Sequence, residues 1–572
     1  MASDPLTTLP ATLHTLITAH TTTSPIPFRA RTAYTHRTWA RTFSSLPELY
    51  IQPHTPAEVQ LAITLARQCR RRLVVVGSGH SPSDLTCTSS WMLNLDRLNR
   101  VLAIDQATGL ATVEAGIRVY ALSAALEEAG LALPSLGSID EQSIAGAIAT
   151  GTHGSSLRHG LVSETIVSLK ITLADGQTHT CSAEERPDLF RAALLSVGAL
   201  GVVTEVTLQA VPAFSLAWSQ TIDADARLYE GWDGLLWTQA EFVRVWWFPY
   251  MRRAVVWTAD KVSREDIAAG RAPGHYHPRT SFQDSTLGYV VYQNLLALSR
   301  WFPRITPWIE WFVFGLNYGF SNGESTRVSG CQESHKAFLL NCLYSQFVNE
   351  WAIPLSKGPE ALQRLGAWLN RLQPGDAGYV DHGIPFSAEG LWVHSPVEVR
   401  VSNTNVRTSA AAQNRPFLDI TPDDEPALYL NATMYRAYHR DPAHHATERY
   451  YEAFEWLMRD LGGKPHWAKT FSVTPGEFAD WYGEDWAQFC RVREEVDPEG
   501  LFVGPWHRRY LLGGGQQQSA ADEKEYDVLG ASGVLLPLEE VGFVHEKAAD
   551  GGLRVSGHQN PVVPQLNVEV WE

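Results

Sequence analysis

The sequence predicts an α+β protein, and three observations carry that class. Helical and strand patterns alternate up to residue 212, long aromatic strands mixed with helices fill 213–460, and two glycine-rich blocks about 60 residues apart interrupt the first region. At 572 residues the chain is longer than one hydrophobic core supports, so it divides into two or three domains. The texture sets boundaries at 35–212, 213–460 and 461–512. The remaining tail, 513–572, opens on Gly513-Gly514-Gly515-Gln516-Gln517-Gln518 and reads as a linker with an appended segment.

The elements follow from local chemistry. Thr55-Pro56-Ala57-Glu58 supplies an N-cap, a proline at the first helical position and an acid at the third, so a helix runs through Ala66 and feeds a strand at Leu73 to Val76. Ala111 to Ala115 reads as a strand, Arg118 to Ala129 as a helix, and Gly130 as the residue that stops it. Pro187 to Val197 reads as a helix, Gly198 and Gly201 as a turn, and Val202 to Leu208 as a strand with Val203, Glu205 and Thr207 on its outer face. Phe242 to Pro249 is a long aromatic strand, and Thr447 to Asp460 is a helix ended by Gly462-Gly463.

Composition narrows the classes of function. A net charge of −16 without a basic stripe argues against a nucleic-acid partner, since phosphate binding needs clustered Lys and Arg. The six cysteines are dispersed without a CxxC pair, which indicates reduced thiols rather than a zinc knuckle or a disulfide framework. His439, His444 and His445 lack the spacing that would complete a ligand set, so no metal is expected. The N-terminus lacks a secretory h-region, and its single acid before Arg29, Asp4, leaves a transit peptide open. Among 20 tryptophans, Trp301, Trp308 and Trp311 cluster within 285–320, where Arg300, Arg304, Pro303, Pro307 and Glu310 break any membrane-spanning run. Two readings of that segment stand: a buried helix pair, or an amphipathic face at a lipid headgroup boundary. The second places an intracellular protein at a mitochondrial or endoplasmic-reticulum surface.

Val74-Val75-Val76-Gly77-Ser78-Gly79-His80-Ser81-Pro82-Ser83-Asp84 carries the most chemistry. A buried-type strand runs into two glycines whose freedom at positive φ lets successive N–H groups converge on a phosphate, and the turn then presents one histidine. Pro82 occupies the third glycine position of a Rossmann fingerprint, which argues against that fold, and the pattern suits a flavin. The second block, Leu136 to Ser156, is crowded with glycine, alanine and hydroxyl side chains, so backbone can approach a large planar ligand. In Pro396-Val397-Glu398-Val399-Arg400-Val401 the alternation puts Glu398 and Arg400 on one face, as a solvated ion pair or as two charges that meet one ligand.

With these motifs, and with Lys464-Pro465-His466-Trp467-Ala468-Lys469, the chain resembles FAD-linked oxidases of the vanillyl-alcohol-oxidase type and, within them, the aldonolactone oxidases, over roughly residues 35 to 510. The resemblance implies a two-subdomain FAD-binding domain, an α+β cap domain and a C-terminal segment that completes the active site. It implies a flavin bonded covalently through His80, and FAD contacts at Val75, Val76, Gly77, Ser78, Gly79, His80, Ser81, Ser138, Ser143, Gly146, Thr150, Gly151, Thr152, His153 and Val203. Gly137 sits where plant galactonolactone dehydrogenases carry an alanine that blocks dioxygen, so oxygen access is expected here. Glu398, Arg400 and Lys469 are the implied catalytic residues, with Ser138 and His466 joining them around the substrate. Lys469 near the flavin's pyrimidine edge would stabilise the negative charge that hydride transfer leaves there. Arg244, Trp247 and Pro249 match a looser element of the same family, and Asp497 to Phe502 reads as a packing turn. The implied reaction oxidises the C2 hydroxyl of a gulono-, galactono- or arabinono-1,4-lactone and passes the electrons to O2, yielding H2O2 and an ascorbate-type product. An alditol oxidase and a non-catalytic flavin or sugar-binding protein are the competing readings.

Overall fold

The computed structural model describes residue 9 and residues 11–276, 282, 285–405 and 415–512, so the tail at 513–572 lies outside the described residues. The expected helix is α1, Pro56–Gln68, in which the Thr55 side chain accepts from the Glu58 N–H at 3.3 Å. Its Val59, Ala62, Ile63 and Ala66 are fully buried, and the chain then enters β1, Leu73–Val76. That strand ends a four-stranded sheet of order Ala30–Arg31, Leu49–Ile51, Trp91–Asn94, β1, whose last three strands run parallel. A three-valine run is what a parallel strand covered on both faces requires.

The second glycine block is not loop throughout. It contains a short helix, α2, Ile144–Ala149, capped by Ser143, whose hydroxyl accepts from the Gly146 N–H at 3.2 Å. Small residues that look like loop in sequence serve here for close packing. The helix beginning at Pro187 ends at Ala193, four residues early. Val197 takes φ +46° and its N–H goes to the Ala149 carbonyl at 2.8 Å, so a tertiary bond to the end of α2 replaces further helix. Then comes β2, Val202–Gln209, whose alternate residues are buried, the centre of a five-stranded antiparallel sheet.

From Phe214 onward the chain builds one antiparallel sheet of eight strands. β3 is Phe242–Phe248. Two helices follow, α3, Thr286–Ser299, and α4, Thr306–Tyr318. Three more strands complete the centre: β4, Gln346–Pro354, β5, Val397–Ser402, and β6, Ala427–Tyr435. The order β3-β5-β6-β4 brings strands far apart in sequence side by side, and the register aligns Trp246, Glu398, Asn431 and Glu350 in one row. Because side chains alternate across a strand, this row shares one face, with Arg400 one pleat along from Glu398.

α3 and α4 form a helix pair buried on one side, as the first reading of the tryptophan-rich segment expects, and exposed on the other. Their inner faces bury Tyr292, Leu296, Ile309 and Val313 against Tyr344 and Ala437. Their outer faces leave Leu287 at 67% and Trp308 at 71% exposed, and the turn between them leaves Trp301 at 72% and Phe302 at 61% exposed, so large exposed apolar side chains concentrate in this segment. No helix among the described residues is long and apolar enough to cross a membrane. Glu310 of α4 is buried, which pushes its carboxyl up to about 8, and it accepts from the Ser395 hydroxyl at 2.7 Å, tying α4 to the chain just ahead of β5.

The C-terminal segment splits. Residues 464–470 run beside β4, with the Thr470 N–H donating to the Val348 carbonyl at 3.1 Å. Residues 497–507 instead return to the first sheet, where the Leu73 N–H meets the Leu501 carbonyl at 2.8 Å and the buried Asp497 carboxylate accepts from Leu501 and Phe502. The expected packing turn is therefore present.

Candidate active site

The two glycine blocks meet at Gly77. A Cβ there would lie 2.0 Å from the Ser143 hydroxyl, so only glycine lets the cap of α2 approach β1 this closely. Gly79 follows at φ +70°, and its carbonyl accepts from the Trp39 N–H at 2.8 Å. Together they open a cavity along Val75, Ser78, Ser81, Gly146, Thr150 and Val203, with Gly198, Gly201 and His507 also on its walls. Backbone amides, small residues and apolar walls suit a long nucleotide with a pyrophosphate, and the donor set therefore fits FAD.

His80 stands where this cavity joins a second one. Its ring stacks on Trp39 at 5.5 Å, and Nε2 lies 3.1 Å from Glu141 Oε2. Nδ1 is buried and has no hydrogen-bond partner.

The second cavity forms a chamber that shares His80, Ser81 and Gln142 with the first. Gly137, Ser138, Thr152 and His153 wall it from the second glycine block, Glu398 and Arg400 from β5, and His466 and Lys469 from the C-terminal segment. Ser138 Oγ donates to Glu398 Oε1 at 3.4 Å, Asn431 Nδ2 to Glu398 Oε2 at 3.4 Å, and Arg400 Nε is 3.6 Å from Glu398 Oε2. Bonds between distant segments tie the chamber's walls together: the Ser83 hydroxyl to the Ala468 carbonyl at 3.1 Å, and the Leu340 N–H to the Ser138 carbonyl at 3.0 Å. Arg244, fully buried and lowered to about 10 by that burial, donates to the Phe338 carbonyl at 2.6 Å and so anchors the strap at 338–342 that roofs the chamber.

Beneath the chamber lies Glu350, which the sequence reading missed. It is 0% exposed, with Oε1 2.5 Å from Arg400 Nη2 and Oε2 3.1 Å from Lys469 Nζ. Burial opposes its charge, but Arg400 and Lys469 outweigh burial and hold the carboxyl well below its usual range. His153 stacks on Tyr429 at 3.5 Å, donates Nδ1–H to the Gly154 carbonyl at 2.9 Å, and sets Nε2 3.3 Å from Glu350 Oε1. Burial lowers the pKa of both His153 and His466. His153, Glu350 and His466 bring ligand-type atoms within 4.8 Å of one another. Both oxygens of Glu350 already face cations, so this donor set is committed to ion pairs rather than to a metal.

Three expected cofactor residues lie off the cavity walls. Val76 alternates to the opposite face of β1 and packs with Tyr50 and Met92. Ser143 spends its hydroxyl on the α2 cap, and Gly151 serves a turn at φ +72° against Leu195. Other wall residues, Gln142, Trp246, Asn431 and His507, were also missed. The one available signal for Glu350 was a lone acid in the apolar strand run Phe347 to Ile353.

Comparison with known proteins agrees with this geometry. An FAD binding domain profile matches residues 47–182, and a D-arabinono-1,4-lactone oxidase profile matches residues 206–510. A Neurospora crassa relative is 65% identical over 94% of this chain and 95% of its own length. The chain belongs to the D-arabinono-1,4-lactone oxidase family. Other members of the family that it resembles are the D-arabinono-1,4-lactone oxidases of Yarrowia lipolytica, 40% identical over 83% of this chain and 96% of that one, and of Saccharomyces cerevisiae, 36% identical over 84% and 96%. In fold, this member of the family is similar to cholesterol oxidase from Brevibacterium sterolicum, with a TM-score of 0.69 and 17% identity over 85% of this chain and 100% of that one. The chain is thus an FAD-dependent oxidoreductase with oxygen as acceptor, of the aldonolactone oxidase family.

Proposed function

We propose that this oxidase removes the C2 hydrogen of an aldono-1,4-lactone, with D-arabinono-1,4-lactone as the first substrate to test, and releases H2O2 and an ascorbate-type product. The observation that carries the proposal is the convergence of Glu398, Arg400 and Lys469 on one chamber that continues into the nucleotide cavity at His80. FAD, when bound, supplies the hydride acceptor and hands the electrons to dioxygen. Arg400 Nε, a buried donor without a hydrogen-bond partner, would meet a lactone oxygen, and Glu398 beside it would accept the C2 hydroxyl proton. The Lys469 ammonium would face the charge that accumulates on the reduced ring. An open-chain alditol remains the competing substrate, because the same three residues suit it. Peroxide release measured with gulono-, galactono- and arabinono-1,4-lactone and with xylitol separates them: a lactone should win, and preference for xylitol would overturn the reading.

Four finer readings accompany it. His80 would tether the flavin through its free Nδ1, a reading supported by the junction position and by Glu141 on the other nitrogen. Gly137 would keep the chamber open to dioxygen; a Cβ there would lie 3.0 Å from the Thr152 methyl and project into that wall. Gly137→Ala is expected to slow reoxidation by O2 about tenfold or more while flavin reduction by lactone stays near wild type, as read by stopped-flow absorbance of the two half-reactions. Equal slowing of both halves would count against an oxygen-access role. A division into 35–212, 213–460 and 461–512 is supported by the change of sheet at Phe214, with the return of 497–507 to the first sheet as a refinement.

The fourth concerns α3 and α4, whose outer face would rest on a lipid headgroup layer, placing the protein on an intracellular membrane surface. Exposed indoles beside Arg300 and Arg304 support it. Flotation with phosphatidylcholine–phosphatidylserine vesicles is expected to carry the wild type upward and to leave a Trp301→Ser, Trp308→Ser variant behind. Wild type remaining with the soluble fraction would contradict it.

A further inference from the structure

The structure assigns Glu350 as the positioning residue of this active site: one buried carboxylate that holds Arg400 by one oxygen and Lys469 by the other, and thereby fixes both cations toward the bound flavin and its substrate. The assignment rests on the lactone oxidase reading. Arg400 arises from β5 and Lys469 from the segment beyond β6, 69 residues later, and among the described residues Glu350 is the carboxylate ion-paired to both. Glu350 lies in β4, whose register with β6 points its side chain to the row that also holds Asn431 and Glu398. The Lys469 segment is pinned to the same strand, since the His466 N–H donates to the Glu350 carbonyl at 2.8 Å.

Donor counting shows what this leaves free. A guanidinium has five N–H donors and an ammonium three. Glu350 takes one arm of Arg400 by one oxygen and pairs with the Lys469 ammonium at 3.1 Å by the other, which leaves Arg400 Nε, 3.6 Å from Glu398 Oε2 and without a hydrogen-bond partner, and the Lys469 protons for the chamber. A second consequence is electrostatic. Two cations and two carboxylates, Arg400, Lys469, Glu350 and Glu398, balance in a cluster whose side chains are at most 19% exposed, so removal of Glu350 would leave an unbalanced positive charge facing the chamber.

These consequences have opposite signs, which makes the role testable. In FAD-loaded Glu350→Gln, the flavin midpoint potential is expected to move to a more positive value, because a buried negative charge beside it is gone. Its reduction by D-arabinono-1,4-lactone in anaerobic stopped flow is nevertheless expected to fall by roughly 10²-fold, because Arg400 and Lys469 lose their alignment. Glu350→Asp should keep the potential near wild type and recover part of the rate. The Glu350→Gln, Lys469→Met pair should be non-additive in rate, since one residue acts through the other. The potential needs no substrate, so a wild-type protein that ignores every lactone would sink the substrate reading while the potential arm still judges Glu350. A Glu350→Gln protein with unchanged potential and unchanged reduction rate overturns the assignment. If Glu350→Gln fails to load FAD, Glu350→Asp decides it: a rate equal to wild type despite the shortened arm overturns the role, and a partial loss supports it.

Discussion

Arg400→Met is expected to lose both flavin reduction and fold stability, and more of each than any other single change in the chamber. Its Nη2 lies 2.5 Å from Glu350 Oε1 at a site where both side chains are buried, so methionine leaves a buried carboxylate with Lys469 as its one remaining cation. Breaking a buried pair from one side costs about 3–5 kcal/mol, because the remaining charge loses compensation it cannot obtain from water. The rate should fall by a comparable free energy, about 10³-fold or about 4 kcal/mol, since a donor aimed at the reacting centre disappears together with the alignment of Glu398. Lysine should not rescue it: one ammonium cannot span Glu350 and Glu398 as a planar guanidinium does. Chemical denaturation and single-turnover reduction read the two effects. A stable, active Arg400→Met protein would remove Arg400 from the chemistry.

His80→Ala is expected to convert a flavin that stays with acid-precipitated protein into one that leaves with the supernatant. The alanine also strands Glu141 Oε2, whose hydrogen-bond partner is His80 Nε2, within a half-buried wall. FAD should still bind, because Gly77, Gly79 and the Ser143-capped turn of α2 are untouched, but with an affinity that dilution can defeat. Flavin fluorescence of the denatured protein band in a gel gives the answer. Fluorescence that persists in the alanine variant would mean that another residue carries the bond.

The legible parts of the molecule were those decided locally. Thr55 to Glu58 writes a helix start in four residues, and Val74 to Gly79 writes a strand and its turn, so both emerged where expected. The alternation around Glu398 and Arg400 announced a shared face, and the structure turns that face inward. What the sequence hid was decided by contacts across long separations. Glu350 is 50 residues from Arg400 and 119 from Lys469, and only the order β3-β5-β6-β4 unites them. α2 was hidden because its alanines and Gly146 are the composition of a loop as well as of a closely packed helix. Val197 shows the limit of propensity, since a bond to Ala149 ended a helix that the pattern would have continued. The paired readings of 285–320 could not be separated by sequence, because an amphipathic hairpin is buried on one side and exposed on the other.

The decisive experiment is anaerobic mixing of the FAD-loaded protein with D-arabinono-1,4-lactone, unlabelled and deuterated at C2, while the oxidised-flavin absorbance is followed. Hydride transfer from C2 within the Glu398–Arg400–Lys469 chamber predicts bleaching in a single turnover, slowed by the deuterium, and full recovery of colour with H2O2 when air is admitted. A flavin that stays oxidised with every aldonolactone, or that bleaches at the same rate with both isotopes when chemistry is the observed step, would contradict it.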